Sequence, residues 1–215
     1  MLRIPVLATA VTNLTDARYF AARGVEGLIF QLESGASDAI APVQVKAIAG
    51  WVDGVSLIGS LSMPTPADLR EAAAALGLDA FLIGAFTPLG VLRETSDLEL
   101  YQEIVLQRDS TLAAIRALLE QRASRVDAFV IDAVKGRLDM ADLRAGLPFA
   151  LDELAELAEE FPIYLHTSAS ARDLPEFDDW NLRGLLVRGG EEEKVGFKSF
   201  DELDDWLDAL EVGED

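Results

Sequence analysis

Two side chains suited to proton transfer stand at the ends of short apolar runs in this chain. Asp132 ends the run at residues 128–131, and His166, the only histidine, ends the run at residues 163–165. A carboxyl group that closes a buried strand can have its pKa raised, which suits a general acid. An imidazole exchanges protons near neutral pH. The alternative is that Asp132 caps the following loop and that His166 is a hydrogen-bonded wall residue.

A second group of residues has the chemistry to hold a phosphate. It consists of hydroxyl side chains, one guanidinium and a glycine pair, which follow two of the apolar runs: Thr167, Ser168, Arg188, Gly189 and Gly190. Paired glycines let backbone N–H groups approach an anion closely, and an arginine adds a bidentate charge. A plain turn with a surface arginine remains the alternative, since three glutamates follow directly and would oppose an anion unless they point to solvent.

The composition excludes several kinds of site. The chain has no cysteine, which rules out disulfides, thiolate metal sites and cysteine nucleophiles. A single histidine rules out a multi-histidine metal centre. No Gly-x-Gly-x-x-Gly turn follows the first apolar run, so a dinucleotide site is not indicated. We therefore expect neither a metal nor a cofactor.

The charge of the chain limits its partners and its location. The chain carries 38 acidic and 18 basic residues, a formal net charge of −20, and half of its residues are hydrophobic. Such a surface repels nucleic acid and anionic lipid, so we expect a small phosphorylated metabolite as the partner, with the chain a monomer or a homodimer. Only four of the basic residues are lysines, and residues 1–10 resemble a strand more than a signal peptide. These features favour a salt-adapted cytoplasm.

The elements that must position these residues alternate along the chain. Strand-like apolar runs occupy residues 3–9, 27–30, 53–61, 79–84, 103–106, 127–132, 163–167 and 182–187. Segments with helical periodicity lie between and after them, at residues 16–24, 42–49, 64–77, 89–98, 110–121, 151–160, 173–180 and 199–210. Eight βα units without a dividing linker predict an α/β fold, a (β/α)8 TIM barrel, with residues 1–215 as a single domain.

In such a barrel the active site lies at the carboxyl ends of the strands. This rule nominates ten residues: Thr9, Gln31, Ser60, Gly84, Gln107, Asp132, His166, Thr167, Ser168 and Arg188.

Four segments carry a resemblance to a known family. Residues 7–17 resemble the motif Lys-Ile-Cys-Gly-Ile-Thr-Asn-Leu-Glu-Asp-Ala, and residues 129–132 resemble a Leu-Leu-Leu-Asp strand. Residues 146–149 stand where the family has Gly-Lys-Thr-Phe, and residues 186–198 match its carboxyl-terminal motif without a gap. The chain thus resembles the phosphoribosylanthranilate isomerases, (β/α)8 enzymes of tryptophan biosynthesis. The similarity is faint between about residues 85 and 125.

The resemblance implies an Amadori rearrangement, in which a phosphoribosylamine ring opens with the help of a general acid and a general base. Asp132 falls on the family's acid, and the phosphate is expected after strands seven and eight. Thr9 stands where the family has its base, a cysteine. An alcohol has no accessible base form near neutral pH without an activating partner, so His166 is the candidate substitute base.

Other departures from the family leave two hypotheses open. The family's arginine after strand two is missing, and Glu33 in that loop would repel a carboxylate; Gly84 and Leu186 replace a histidine and an aspartate. The first hypothesis is an isomerase acting on phosphoribosylanthranilate or on a related phosphorylated sugar compound. The second is a catalytically inactive paralogue that binds a phosphorylated metabolite or a protein partner.

Overall fold

Eight parallel strands form a closed barrel in a computed structural model that describes residues 1–95, 97–189 and 200–212. Consecutive strands pair in sequence order, and β8 returns to β1. The strands are β1 (Val6–Thr9), β2 (Gly27–Gln31), β3 (Ser56–Leu61), β4 (Ala80–Gly84), β5 (Glu99–Val105), β6 (Ala128–Asp132), β7 (Ile163–His166) and β8 (Gly184–Arg188). The expected (β/α)8 fold is confirmed.

Helices cover the outside of the barrel in the connections between strands and after β8. They are α1 (Leu14–Ala22), α2 (Pro42–Ala49), α3 (Pro66–Leu76), α4 (Leu89–Glu94), α5 (Leu112–Arg122), α6 (Met140–Arg144), α7 (Leu151–Glu160) and α8 (Asp201–Asp208). The helix expected at residues 89–98 is the short α4, and residues 173–180 hold only the 3-10 turn Leu174–Phe177. The sequence pattern did not predict α6, which Asp139 caps by accepting a hydrogen bond from the Asp142 N–H.

Local signals explain why α3 begins and ends where it does. The Thr65 hydroxyl accepts a hydrogen bond from the Asp68 N–H, and the Asp68 carboxylate accepts one in return from the Thr65 N–H. Pro66 occupies the first turn, where its missing N–H costs nothing. Gly77 ends the helix with a φ of 66°, a left-handed conformation that favours glycine.

Alternation along the strands divides the core into two parts. One face of the strands packs outward against the helices. The other face fills the barrel interior, and we call these side chains the inner cluster: Leu7, Ile29, Ile58, Ala80, Leu82, Tyr101, Ala128, Val130, Tyr164 and Leu186. The period of two follows from strand geometry, and it fixes which later residue on each strand also points inward.

Polar contacts close the barrel at the amino ends of the strands. The Tyr164 hydroxyl donates to Glu26 Oε2 at 2.7 Å, and Arg183 pairs with Glu26 while lying 5.4 Å from the centre of the Tyr164 ring. Burial and the bond to Glu26 raise the pKa of Tyr164, so this hydroxyl remains a donor. The barrel interior is therefore approached from the carboxyl ends of the strands.

Among the described residues, none of the helices has the length and apolar character needed to cross a membrane.

An ion-pair cluster ties the loop after β7 to α6. Arg144 pairs with Asp173 and Glu176, and the Ser170 N–H and hydroxyl donate to Asp173 Oδ2 at 2.7 and 2.6 Å. The Arg144 guanidinium and these Ser170 bonds lower the pKa of Asp173 from 3.8 to about 2.

Replacement of Arg144 by methionine is expected to raise the pKa of Asp173 from about 2 toward 3.8, as read from its carboxyl carbon by NMR. Because the folded-state pKa lies below the unfolded one, the interaction stabilises the fold above pH 3.8 and is lost as the pH falls through about 2. The difference in free energy of unfolding between wild type and Arg144→Met should therefore decrease as the pH falls from 3.8 to about 2. Arg116→Met, which removes the distant Arg116–Glu160 pair, is the control. An unchanged Asp173 titration in Arg144→Met would contradict the assignment.

Candidate active site

Mostly polar residues occupy the inward positions at the carboxyl ends of the strands. On each strand this position lies two residues beyond the last member of the inner cluster. We call the eight positions the mouth ring: Thr9, Gln31, Ser60, Gly84, Glu103, Asp132, His166 and Arg188. Seven of them were nominated from the sequence.

The nomination from β5 was wrong. Gln107 lies two residues beyond the end of β5 and is exposed, whereas Glu103 holds the inward position on that strand. The reason is that β5 begins at Glu99, earlier than its predicted start at residue 103. The alternation of Leu100 and Ile104 outward with Tyr101 inward was the available signal.

Asp132 and His166 form a buried pair on neighbouring strands. The register of β6 and β7 places them side by side, and His166 Nδ1 lies 2.9 Å from Asp132 Oδ2. Only 4% of Asp132 and 7% of His166 is exposed. A carboxylate at Nδ1 fixes that nitrogen as the donor, which leaves Nε2 for proton exchange. His166 also lines the depression above the barrel.

The second oxygen of Asp132 holds the loop that follows β6. Asp132 Oδ1 accepts a hydrogen bond from the Lys135 N–H at 2.7 Å. The next residue, Gly136, lies against the backbone of Leu106, which directly follows β5. A Cβ added at Gly136 would lie 1.6 Å from the Leu106 carbonyl oxygen. Asp132 therefore caps its loop, as one of the two interpretations expected, and it also contacts His166, while its role as a general acid stays a prediction.

Thr9 lies two strands from His166 in the mouth ring, since β8 stands between β7 and β1, and the described residues give it no activating group. Its side chain is half-buried, and the described residues give its Oγ1 no hydrogen-bond partner. Its carbonyl accepts from the Gly189 N–H at 2.9 Å, and Ala10 follows with a φ of 58°. The hydroxyl of Thr9 is thus placed in the mouth ring without a base to deprotonate it.

Arg188 is engaged by a carboxylate from another loop. Its Nη1 and Nη2 each lie 2.8 Å from an oxygen of Asp38, in the loop after β2. Because β1 lies between β8 and β2, this pair spans the end of β1. An anion that uses Arg188 must therefore compete with Asp38, a contact that sequence order alone does not indicate.

A depression of about 1160 Å³ opens beside the mouth ring, along the loops after β7 and β8. Thr167 and Ser168 line it, as does Arg172, an exposed arginine without an acidic partner among the described residues. The first turns of α8 contribute acidic side chains to another wall. Gly189 is buried next to Thr9, and Gly190 lies outside the described residues. Arg172 was not predicted as a phosphate ligand from the sequence. Its place in the same loop, four residues after Ser168, was the available signal.

The side of the mouth over β2 to β4 has a different character. Glu33 accepts hydrogen bonds from the N–H and hydroxyl of Ser62, and the Ser62 carbonyl accepts from the Gly84 N–H at 3.1 Å. Met63 and Phe86, on the loops after β3 and β4, are 70% and 86% exposed. This side therefore presents apolar surface and the carboxylates of Glu33 and Asp38. The cationic side chains of Lys135, Arg172 and Arg188 lie instead over β6 to β8.

In the described part of the chain, no three histidine or acidic residues are grouped so that they could hold a metal ion.

Comparison with solved structures shows the same fold in several enzymes. The phosphoribosylanthranilate isomerase of Thermus thermophilus has a TM-score of 0.75 and 19% identity, over 96% of this chain and 98% of that chain. That of Thermotoga maritima has a TM-score of 0.77 and 15% identity, with the same coverage. Another phosphoribosylanthranilate isomerase structure, at 0.75 and 16%, contains reduced 1-(o-carboxyphenylamino)-1-deoxyribulose 5-phosphate.

A second kind of enzyme shares the architecture. A 3-hexulose-6-phosphate synthase has a TM-score of 0.64 and 13% identity, over 97% of this chain and all of its own. No protein-family model and no curated protein sequence matches the chain. At these identities the likeness concerns the fold, so the chemistry must be argued from the side chains at the mouth.

Proposed function

We propose that the barrel isomerises a phosphoribosylamine or a related phosphorylated sugar compound by an Amadori-type rearrangement. The observation that carries this proposal is the buried Asp132–His166 pair, with His166 Nδ1 and Asp132 Oδ2 2.9 Å apart at the barrel mouth. The names of the neighbouring structures give the reaction class, and the sugar phosphate in one of them gives the kind of ligand.

The first step uses the pair as the general acid. A proton on His166 Nε2 passes to the ring oxygen of the sugar, the C1–O bond breaks, and the nitrogen lone pair forms a C1=N iminium. Asp132 acts through His166, because it keeps the imidazole oriented and stabilises its charged form. Loss of the C2 proton then gives an enaminol, which tautomerises to the ketone. The sequence neither gains nor loses atoms or electrons overall.

The phosphate lies over the loops after β7 and β8 in this proposal. Thr167 and Ser168 supply hydroxyl donors, and Arg188 exchanges Asp38 for the phosphate. The Gly189 N–H already donates to the Thr9 carbonyl and is not counted among these donors. Arg172 adds a guanidinium that no described carboxylate occupies. The acidic start of α8 directs the anion toward these two arginines, away from its own wall.

The test measures turnover of two kinds of substrate. One is phosphoribosylanthranilate, whose consumption is monitored by the loss of its fluorescence, and the other is a set of phosphoribosylamines that lack the carboxylate. Because Glu33 stands in the loop after β2, we expect the uncarboxylated compounds to have the higher kcat/KM. Arg172→Ala should raise KM about tenfold, and Arg125→Ala, which replaces an exposed arginine beyond α5, should not. Wild-type protein that turns over none of these compounds would contradict the proposal.

A second candidate is a barrel that binds a phosphorylated metabolite without catalysis. It is favoured by the Thr9 hydroxyl, which stands in the position of the family's base and has no hydrogen-bond partner among the described residues. Calorimetry with ribulose 5-phosphate separates the two: binding without turnover of any phosphoribosylamine supports this candidate. Complementation of a tryptophan auxotroph by the chain would exclude it.

A further inference from the structure

Glu103 places a second carboxylate in the mouth, one strand away from Asp132. It follows Tyr101 of the inner cluster by two residues, so its side chain points into the barrel. The side chain is 18% exposed, and the β5–β6 register sets Glu103 beside Val130, one step below Asp132. Nothing in the sequence resemblance assigns a role to this residue.

One residue connects the two carboxylates. The Lys135 backbone N–H donates to Asp132 Oδ1 at 2.7 Å, and its Nζ lies 2.6 Å from Glu103 Oε2. The Lys135 side chain is 56% exposed and extends from the loop after β6 to Glu103. Glu103 thus has a fixed position, and one of its oxygens has no partner among the described residues.

The neighbouring strand leaves room beside Glu103. Its register partner on β4 is Gly84, which presents no side chain. A Cβ at Gly84 would lie 2.5 Å from the Ser62 carbonyl oxygen, so the position excludes a larger residue. Gly84 therefore places no side chain against the Glu103 carboxylate from the β4 side.

The rearrangement needs a base as well as an acid. In the proposed mechanism His166 gives its proton to the ring oxygen, and the described residues give Thr9 no group to activate it. A separate acceptor in the mouth ring would let the base act at C2 while His166 acts at the ring oxygen. Among its described side chains, Glu103 is the only other carboxylate besides Asp132, whose two oxygens are both hydrogen-bonded.

We propose that Glu103 is a catalytic residue, the base that takes the C2 proton of the iminium; this inference rests on the proposed function. The C2–H bond breaks, its electron pair forms the C1=C2 double bond, and the C1=N π electrons return to nitrogen. The proton goes to the free oxygen of Glu103. The Lys135 ammonium lies beside the other oxygen, Glu103 Oε2, and holds the carboxylate in place for this transfer.

Glu103→Gln tests this assignment. Its matched control is Glu99→Gln at the other end of β5, where Glu99 accepts a hydrogen bond from the Tyr101 hydroxyl. Glu103→Gln should lower kcat about 10²-fold with KM within about twofold. With substrate deuterated at C2, the kinetic isotope effect should increase, since C–H cleavage becomes the slow step. Glu103→Asp keeps the carboxylate and should recover part of kcat.

The outcomes separate this inference from the proposed function. Wild-type protein that binds but does not turn over any phosphoribosylamine refutes both. An active wild type with Glu103→Gln matching Glu99→Gln in kcat and isotope effect refutes the role of Glu103 alone. Should Glu103→Gln not fold, the isotope effect in Glu103→Asp decides, because a misplaced base raises it and a structural carboxylate leaves it unchanged.

Discussion

Replacing His166 with asparagine is expected to lower kcat for the phosphoribosylamine rearrangement by about 10³-fold, with KM nearly unchanged. The asparagine amide can take the place of Nδ1 and keep donating to Asp132 Oδ2, now 2.9 Å from that nitrogen. It has nothing in the place of Nε2, the atom that we propose gives the proton to the sugar. The substitution therefore keeps the buried hydrogen bond and removes the acid.

Two further measurements distinguish loss of the acid from loss of the fold. The melting temperature of His166→Asn should stay close to that of wild type, because the bond to Asp132 persists. Imidazole added to His166→Ala should restore part of kcat, as a diffusible acid in the vacated space. Wild-type turnover by His166→Asn, or no rescue of a folded His166→Ala, would show that the imidazole is only a wall residue.

Gly136→Ala is expected to lower the free energy of unfolding by about 3 kcal/mol. The added Cβ would lie 1.6 Å from the Leu106 carbonyl oxygen, which is backbone. Leu106 cannot move aside easily, because its N–H donates to the Asp132 carbonyl at 3.0 Å. The loop after β6 must shift instead, and with it the Lys135 N–H that holds Asp132 Oδ1.

Gly90→Ala provides the control for this substitution. Gly90 lies in α4, and an added Cβ would meet nothing within 4 Å. Alanine in a helix is favoured over glycine by about 0.5–1 kcal/mol, so this variant should match or exceed wild-type stability. Equal urea midpoints for the two variants would contradict the close approach at Gly136.

The sequence was most informative where a strand has a simple apolar pattern. The boundaries of α2 and α7 were predicted to the residue, and β6 ends at Asp132 as expected. In these segments hydrophobic periodicity, proline and acidic first turns all indicate the same element. The inward positions then follow from the period of two.

Prediction failed where polar residues interrupt that pattern. In β5, Glu99, Gln102 and Glu103 alternate with apolar residues, so the strand was predicted to start four residues late and Glu103 was missed. Gln102 faces the helices and is fully buried, with its amide donating to the Gly84 carbonyl at 3.2 Å. Its Oε1 has no hydrogen-bond partner among the described residues, and a buried polar side chain whose contact is tertiary has no local signal in the sequence.

Contacts between loops were also beyond prediction from one sequence. The pairing of Asp132 with His166 depends on the β6–β7 register, and that of Arg188 with Asp38 depends on closure of the ring. Residue types indicated both Asp132 and His166, but only the register shows that they share a hydrogen bond. Arg188 was expected to be free for a phosphate, but its guanidinium already pairs with the Asp38 carboxylate.

Closure of the ring by β1 and β8 has a consequence for how the protein is made. Four residue pairs, from Val6 with Leu185 to Thr9 with Arg188, join the first strand to the last. During synthesis one edge of β1 therefore stays unpaired until β8 has left the ribosome. An unpaired strand edge can associate with other chains. The mouth ring becomes complete only in that final pairing, so a nascent chain that lacks β8 would have Asp132 and His166 but neither a closed barrel nor Arg188.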